Sequence, residues 1–168
     1  KLGETFTLPA LAVDATQYSA DGTVKSRFRT HEGHLVEGVL IPTDERKTAC
    51  VSSQIGCSLS CKFCATGYID RKRNLNYDEI YDEVVLINQQ SERVYEKKLT
   101  NIVFMGMGEP LLNYNNVLKA IEKITSPDGL GMSPRRITVS TAGVAKQIRQ
   151  LGDDEVRFKL ALSLHAAA

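Results

Sequence analysis

"NIVFMGMGEPLLNYNNVLKAIEKI", residues 101–124, runs from an unbroken apolar segment through a glycine-containing loop into an amphipathic segment. A strand covered on both faces reads as a continuous apolar run, whereas "NNVLKAIEKI" spaces its apolar residues at helical intervals. The stretch is therefore one strand–loop–helix unit. The same order recurs on either side. "NYDEIYDEVVLINQQ" (76–90) predicts a helix that starts at a capping Asn76, has an acidic first turn, and sets Ile80, Val84 and Ile87 on one face. "RITVS" (136–140) predicts a strand, "VAKQIRQL" (144–151) a short helix and "FKLALSL" (158–164) a further strand. Buried strands alternating with helices imply an α/β fold of parallel βα units. Upstream of them, after turn signals at Ala20-Asp21-Gly22, "VKSRFRT" (24–30) and "HLVEGVLI" (34–41) predict an antiparallel pair joined by a turn containing Gly33, and "TACVSS" (48–53) a third short strand.

Composition bounds the function. The chain has 168 residues, 42% of them apolar, enough for one substantial core and too apolar for a disordered chain. Twenty-one basic against twenty acidic residues leave a formal charge of +1, so a nucleic-acid role would have to rest on local patches. No apolar run approaches the roughly 18–20 residues that span a bilayer, and the first residues lack the order of a secretory signal. The expectation is a cytoplasmic chain without a membrane segment.

Polar residues stand at the ends of the predicted strands. "NIVFMG" runs into Met107-Gly108-Glu109-Pro110, "RITV" into Ser140-Thr141, and "LAL" into Ser163-Leu164-His165. In a (βα) barrel the carboxyl ends of the strands form one face, and the site is built there. All four cysteines fall in "CVSSQIGCSLSCKFCATG" (50–67), a loop between a predicted strand and a predicted helix, so it belongs to that same face. Cys57, Cys61 and Cys64 follow a C-x3-C-x2-C spacing, with Cys50 seven residues upstream. Thiolates suit zinc or iron–sulfur clusters. Two readings stand: one zinc held by all four thiols, or three thiols on a cluster with one iron left open and Cys50 set apart.

The triplet, with the aromatic Phe63 before its last cysteine, resembles the radical S-adenosylmethionine (SAM) enzymes. "FMGMGEPLLNYNNV", "RRITVSTAGV" and "LALSLHA", taken with the cysteine loop, are similar to the adenine methyltransferases of the RlmN/Cfr type from about Glu37 to the end of the chain. The resemblance implies a partial (βα)6 TIM-like radical SAM barrel. Residues 1–45 would form a linker and β extension, and 46–168 about four βα units of the barrel. It further implies a 4Fe-4S cluster on Cys57, Cys61 and Cys64, and SAM contacts from Gly108, Glu109, Ser140, Ser163, Leu164 and His165. In such enzymes SAM is cleaved to a 5'-deoxyadenosyl radical, a methyl-carrying cysteine far downstream becomes crosslinked to adenine, and a second thiolate resolves the crosslink, leaving a disulfide. Cys50 matches that second thiolate, whose activation needs a depressed pKa or a nearby base.

Glu37 matches the general base of the same family. Strand alternation puts it on one side with Leu35, Val39 and Ile41, and a carboxylate on an apolar face should have a raised pKa. The implied partners are large-subunit ribosomal RNA, in one branch transfer RNA, and a small electron donor such as a flavodoxin, with the enzyme a monomer. Arg71-Lys72-Arg73 and Arg135-Arg136 are candidates for phosphate contacts beside the site, and Tyr68 for stacking on a base. The methyl-carrying cysteine and the accessory helical domain of the family are not found in these residues, so the expectation is an internal segment of a longer enzyme, inactive by itself. A zinc-stapled RNA-binding module and a radical SAM enzyme with another substrate are the competing readings.

Overall fold

The computed structural model describes residues 9–164. Three antiparallel strands come first: β1 (Leu11–Tyr18), β2 (Val24–Thr30) and β3 (Leu35–Pro42). β4 (Lys47–Cys50) follows, then a two-stranded ladder of β5 (Gln54–Ile55) and β6 (Arg73–Asn74), and helix α1 (Tyr77–Tyr95). β7 (Asn101–Phe104), α2 (Tyr114–Thr125), β8 (Ile137–Thr141), α3 (Ala145–Asp153) and β9 (Lys159–Leu162) are the remaining strands and α-helices among the described residues. The large sheet has the order β1-β2-β3-β4-β7-β8-β9. β4 pairs antiparallel with β3 and parallel with β7, so the meander and the parallel βα units share one sheet. The four parallel strands with their helices match the partial barrel expected from the sequence.

Side-chain alternation decides which face the helices cover. On β3, Val36, Gly38 and Leu40 are buried, whereas Leu35, Glu37, Val39 and Ile41 point to the open face. Register carries this division across the sheet: Leu40 pairs with Ala49, and Ala49 with Ile102, on the helix side, while Val39, Cys50 and Val103 line the open side. α1 answers with Ile80, Val84 and Ile87, all fully buried. At about 1.5–3 kcal/mol for each large apolar side chain buried, this contact outweighs the weak helix preference of its β-branched residues. Glu79 accepts the backbone N–H of Asn76 at 2.8 Å and so closes the first turn of α1, and Glu96, in the left-handed region at φ 54°, ends it.

The helices run slightly beyond their predicted spans, α1 by five residues and α3 by two at their carboxyl ends. β1 was not foreseen. A bulge between Val13 and Ala15 breaks its alternation, and Asp14, left out of the ladder, accepts from Arg27 Nε at 2.6 Å and from Arg29. β1 and β9 are the two edges of the sheet. On β9, Leu160 and Leu162 are 43% and 58% exposed.

Candidate functional site

The cysteine loop leaves the sheet at the carboxyl end of β4 and returns through β6. Its two limbs are clamped at the base, where β5 pairs with β6, Cys57 N–H donates to Ile69 O at 3.2 Å, and Lys72 N–H donates to Ile55 O at 2.8 Å. Gly56, at φ +74°, is required there, since a Cβ would lie 2.3 Å from Asp70 O. Within the loop, Cys64 N–H donates to Cys61 O and Gly67 N–H to Cys64 O, so successive turns carry the last two cysteines. All three thiols are free and half-buried.

Among the described residues no three His, Cys, Asp or Glu side chains converge on a single ion. Four thiols on one zinc would need such a convergence, and Cys50 stands instead in β4, on the open face of the sheet. A 4Fe-4S cluster makes a different demand, because each thiolate binds its own iron and the ligands stay apart around the cubane. Three soft donors on one closed loop fit it.

The glycine loop after β7 is fastened to the base of the cysteine loop. Met107 O accepts from the N–H groups of Ser53 (2.8 Å) and Gln54 (3.2 Å), and Gly106 N–H donates to Val51 O at 3.0 Å. Ser52 Oγ donates to Glu37 O at 2.7 Å and accepts from Met107 N–H at 2.9 Å. One hydroxyl thus joins β3, the segment after β4 and the glycine loop. Gln54, fully buried, accepts the Glu109 N–H at 2.9 Å and donates to Asn74 Oδ1 at 2.7 Å. Asn113 Nδ2 donates to both Ser53 O and Leu75 O at 2.7 Å. Ser52, Gln54 and Asn113 were missed in the sequence. The available signal was the run of small and polar residues in "SSQ" directly after a strand.

Every predicted site residue except His165 has a definite place. Gly108 is in the left-handed region at φ +92°, and what approaches it is Gln54, whose Cβ would lie 2.5 Å from an added methyl group. Glu109 is buried, with Oε1 accepting from Leu111 N–H (3.0 Å) and Oε2 from Ala142 N–H (2.8 Å). Ser140 Oγ donates to Phe104 O at 2.8 Å. Ser163 N–H donates to Thr141 O at 2.8 Å, and Leu164 is 70% exposed. His165 lies outside the described residues. The carboxyl ends of β4, β7, β8 and β9 therefore bring the cysteine loop, Gly108, Glu109, Ser140 and Ser163 to one end of the sheet.

Several expectations need correction. Of the two routes to an active Cys50, a depressed pKa or a nearby base, the first is not realised: burial pushes the thiol up to about 11, Glu83 adds to the rise, and a backbone hydrogen bond from Met105 offsets part of it. Glu37 does share a face with Leu35, Val39 and Ile41, yet this face is open, and Glu37 pairs with Lys25 Nζ at 2.8 Å in a shallow cleft of about 180 Å³ shared with Arg27 and Gln17. Its surroundings are cationic, not apolar. Arg73 turns inward to bind Glu79 through both terminal nitrogens at 2.8 Å and Glu32 through Nε at 2.7 Å. Arg135 and Arg136 form a turn before β8, at the end of the sheet away from the site. Tyr68, 77% exposed, does lie on the outer surface of the cysteine loop.

Glu83 was also unforeseen. It is fully buried on the sheet-facing side of α1, with both oxygens near the Ser52 N–H (3.1 and 3.2 Å), and burial holds its carboxyl well above the ordinary range. Gly38 makes room for it, because a Cβ there would lie 2.7 Å from Glu83 Oε1.

The Radical SAM superfamily model matches residues 51–163. The probable dual-specificity RNA methyltransferase RlmN of Cytophaga hutchinsonii is 62% identical over 166 residues, covering 99% of this chain and 46% of the relative. The dual-specificity RNA methyltransferase RlmN of Syntrophobacter fumaroxidans is 51% identical over 160 residues, covering 95% of this chain and 46% of the relative. A crystal structure of a radical SAM methyltransferase from Sphaerobacter thermophilus superposes with a TM-score of 0.93 at 40% identity, covering 98% of this chain and 48% of that one. The chain spans about half the length of the relatives it matches.

Proposed function

This chain belongs to the radical SAM superfamily, whose members use a 4Fe-4S cluster and SAM, and on that premise we propose that it is the radical-generating part of an RNA methyltransferase. The observation that carries the reading is the fastening of the three-cysteine loop to the glycine loop through Ser52, Ser53 and Gln54. It holds a donor set for a cluster and a backbone turn for a small polar ligand at fixed separation. Cys57, Cys61 and Cys64 would hold the cluster, and the loops bearing Gly108, Glu109, Ser140, Ser163, Leu164 and His165 would receive SAM. Together cluster and SAM supply a carbon-centred radical when bound.

The product we infer is a methyl group on an adenine ring carbon, with carbon 2 favoured, in large-subunit ribosomal RNA and also in transfer RNA. The names of the relatives support RNA as substrate. Cys50 is the thiol that would release RNA from a protein crosslink by forming a disulfide with a second cysteine. With its pKa pushed up to about 11, it enters that step as a thiol and requires a base. Glu37 fits as that base or as the acceptor of the adenine ring proton, since β3 carries it on the open face with Val39, the register partner of Cys50. Binding of RNA would have to displace Lys25 from Glu37 and free the carboxylate. A linker and β extension through residue 45 built onto the barrel units from residue 46, a monomeric state, a cytoplasmic location and a small flavodoxin-like electron donor complete the proposal.

Iron and sulfide content after anaerobic reconstitution tests it. Cys57→Ala, Cys61→Ala and Cys64→Ala should each lose the cluster and its brown absorbance, and Cys50→Ala should keep both. One zinc per chain, lost with Cys50, would overturn the reading. In the full-length protein, mass spectrometry of ribosomal RNA should find methyladenine that Cys50→Ala and Glu37→Gln do not release.

A further inference from the structure

We propose that Glu109 is a positioning residue, whose carboxylate ties the loop after β7 to the loop after β8 instead of pairing with the ammonium group of SAM. The inference rests on the reading of this end of the sheet as the SAM site. A carboxylate that is to meet an incoming ammonium must present an oxygen to the pocket. Glu109 is only 4% exposed, and each of its oxygens is already aimed at a backbone N–H, Oε1 at Leu111 and Oε2 at Ala142.

The geometry is that of a brace. Leu111 is in the turn that follows Glu109 itself, whereas Ala142 follows β8 directly, 33 residues further along the chain. The third attachment, Glu109 N–H to Gln54 Oε1, anchors the same residue to the base of the cysteine loop. Glu109 therefore joins three of the loops that build the site. A carboxylate suits this task because it offers acceptors in two directions, whereas the amide of Gln would turn a donor toward one of the two N–H groups. The Ala142–Val144 loop closes locally on Thr141 Oγ1, which accepts from Gly143 N–H at 3.1 Å, so Glu109 supplies its link across to the glycine loop.

Two variants separate the roles. Glu109→Gln keeps the size and removes the charge, and Glu109→Asp keeps the charge but is too short to span both loops. In the chain without its cluster, hydrogen exchange at the Leu111 and Ala142 amides should accelerate at least about tenfold in both variants, while Ile80 and Ile87 in α1 stay protected and report an intact core. In the cluster-loaded chain, affinity for SAM and for its analogue lacking the amino group should fall by the same factor in each variant. Unchanged protection of the two amides would overturn the proposal. So would a loss in Glu109→Gln confined to SAM, with Glu109→Asp binding normally, because only a direct ammonium contact distinguishes the two ligands. Failure of the unsubstituted chain to bind either ligand would instead refute the SAM reading, and amide exchange would still decide the brace.

Discussion

Cys50 and Glu83 approach the same sheet from opposite sides, Cys50 on the open face and Glu83 beneath it on α1. Their charges are coupled. A thiol pushed up to about 11 should be alkylated slowly at neutral pH, and iodoacetamide labelling of the Cys50 peptide should rise steeply only toward pH 11. Glu83→Gln removes a neighbouring negative charge, so the labelling midpoint should move down. The same substitution alters stability. Folded Glu83 keeps its proton to a higher pH than unfolded Glu83, the folded state therefore holds an extra proton in that interval, and stability falls as pH rises through it. Urea denaturation of Glu83→Gln should show a flatter pH profile, with the gain over the parent largest above the ordinary carboxylate range. Gly108→Ala makes a second test at this scale. Positive φ and a 2.5 Å approach to Gln54 Cβ should together cost about 3 kcal/mol, read from the denaturation midpoint.

Elements were legible wherever a period was clean. Ile80, Val84 and Ile87 announced α1, and the apolar run 102–104 announced β7, because burial on one or both faces writes itself directly into residue order. β1 escaped because its bulge shifts the alternation at Asp14. The fastening of the site was harder to read, since Ser52, Gln54 and Glu109 meet partners across the fold, and Glu37 looked apolar only because its cationic neighbours lie on another strand. Arg73 belongs to this class. It links the return limb of the cysteine loop to α1 through Glu79 and to the β2–β3 turn through Glu32. Arg73→Ala leaves the nearly covered Glu79 carboxylate without its cation, at about 3 kcal/mol. Exchange at the Lys72 and Leu75 amides should accelerate with it, and Arg73→Lys should recover only part of the loss, because a lysine cannot bridge both carboxylate oxygens.

For the molecule as a whole, the antiparallel meander and the parallel units share one core. Phe28, Val36 and Leu40 from the meander and Ile80, Val84 and Ile87 from α1 belong to the same buried cluster. Deleting residues 1–45 would bare one side of α1. The shortened chain should therefore lose its cooperative thermal transition by circular dichroism, and retention of that transition would show that the parallel units fold by themselves.

The two borders of the sheet are unequal in a way that bears on solubility. β1 is blunted by its bulge and by an aspartate clamped between two arginines, both of which discourage a further strand from adding there. Among the described residues β9 carries neither device; beyond Lys159 at its start, Leu160 and Leu162 lie in the open. Self-association of this chain at high concentration should proceed by strand addition at β9, and a lysine placed at Leu160 or Leu162 should suppress it.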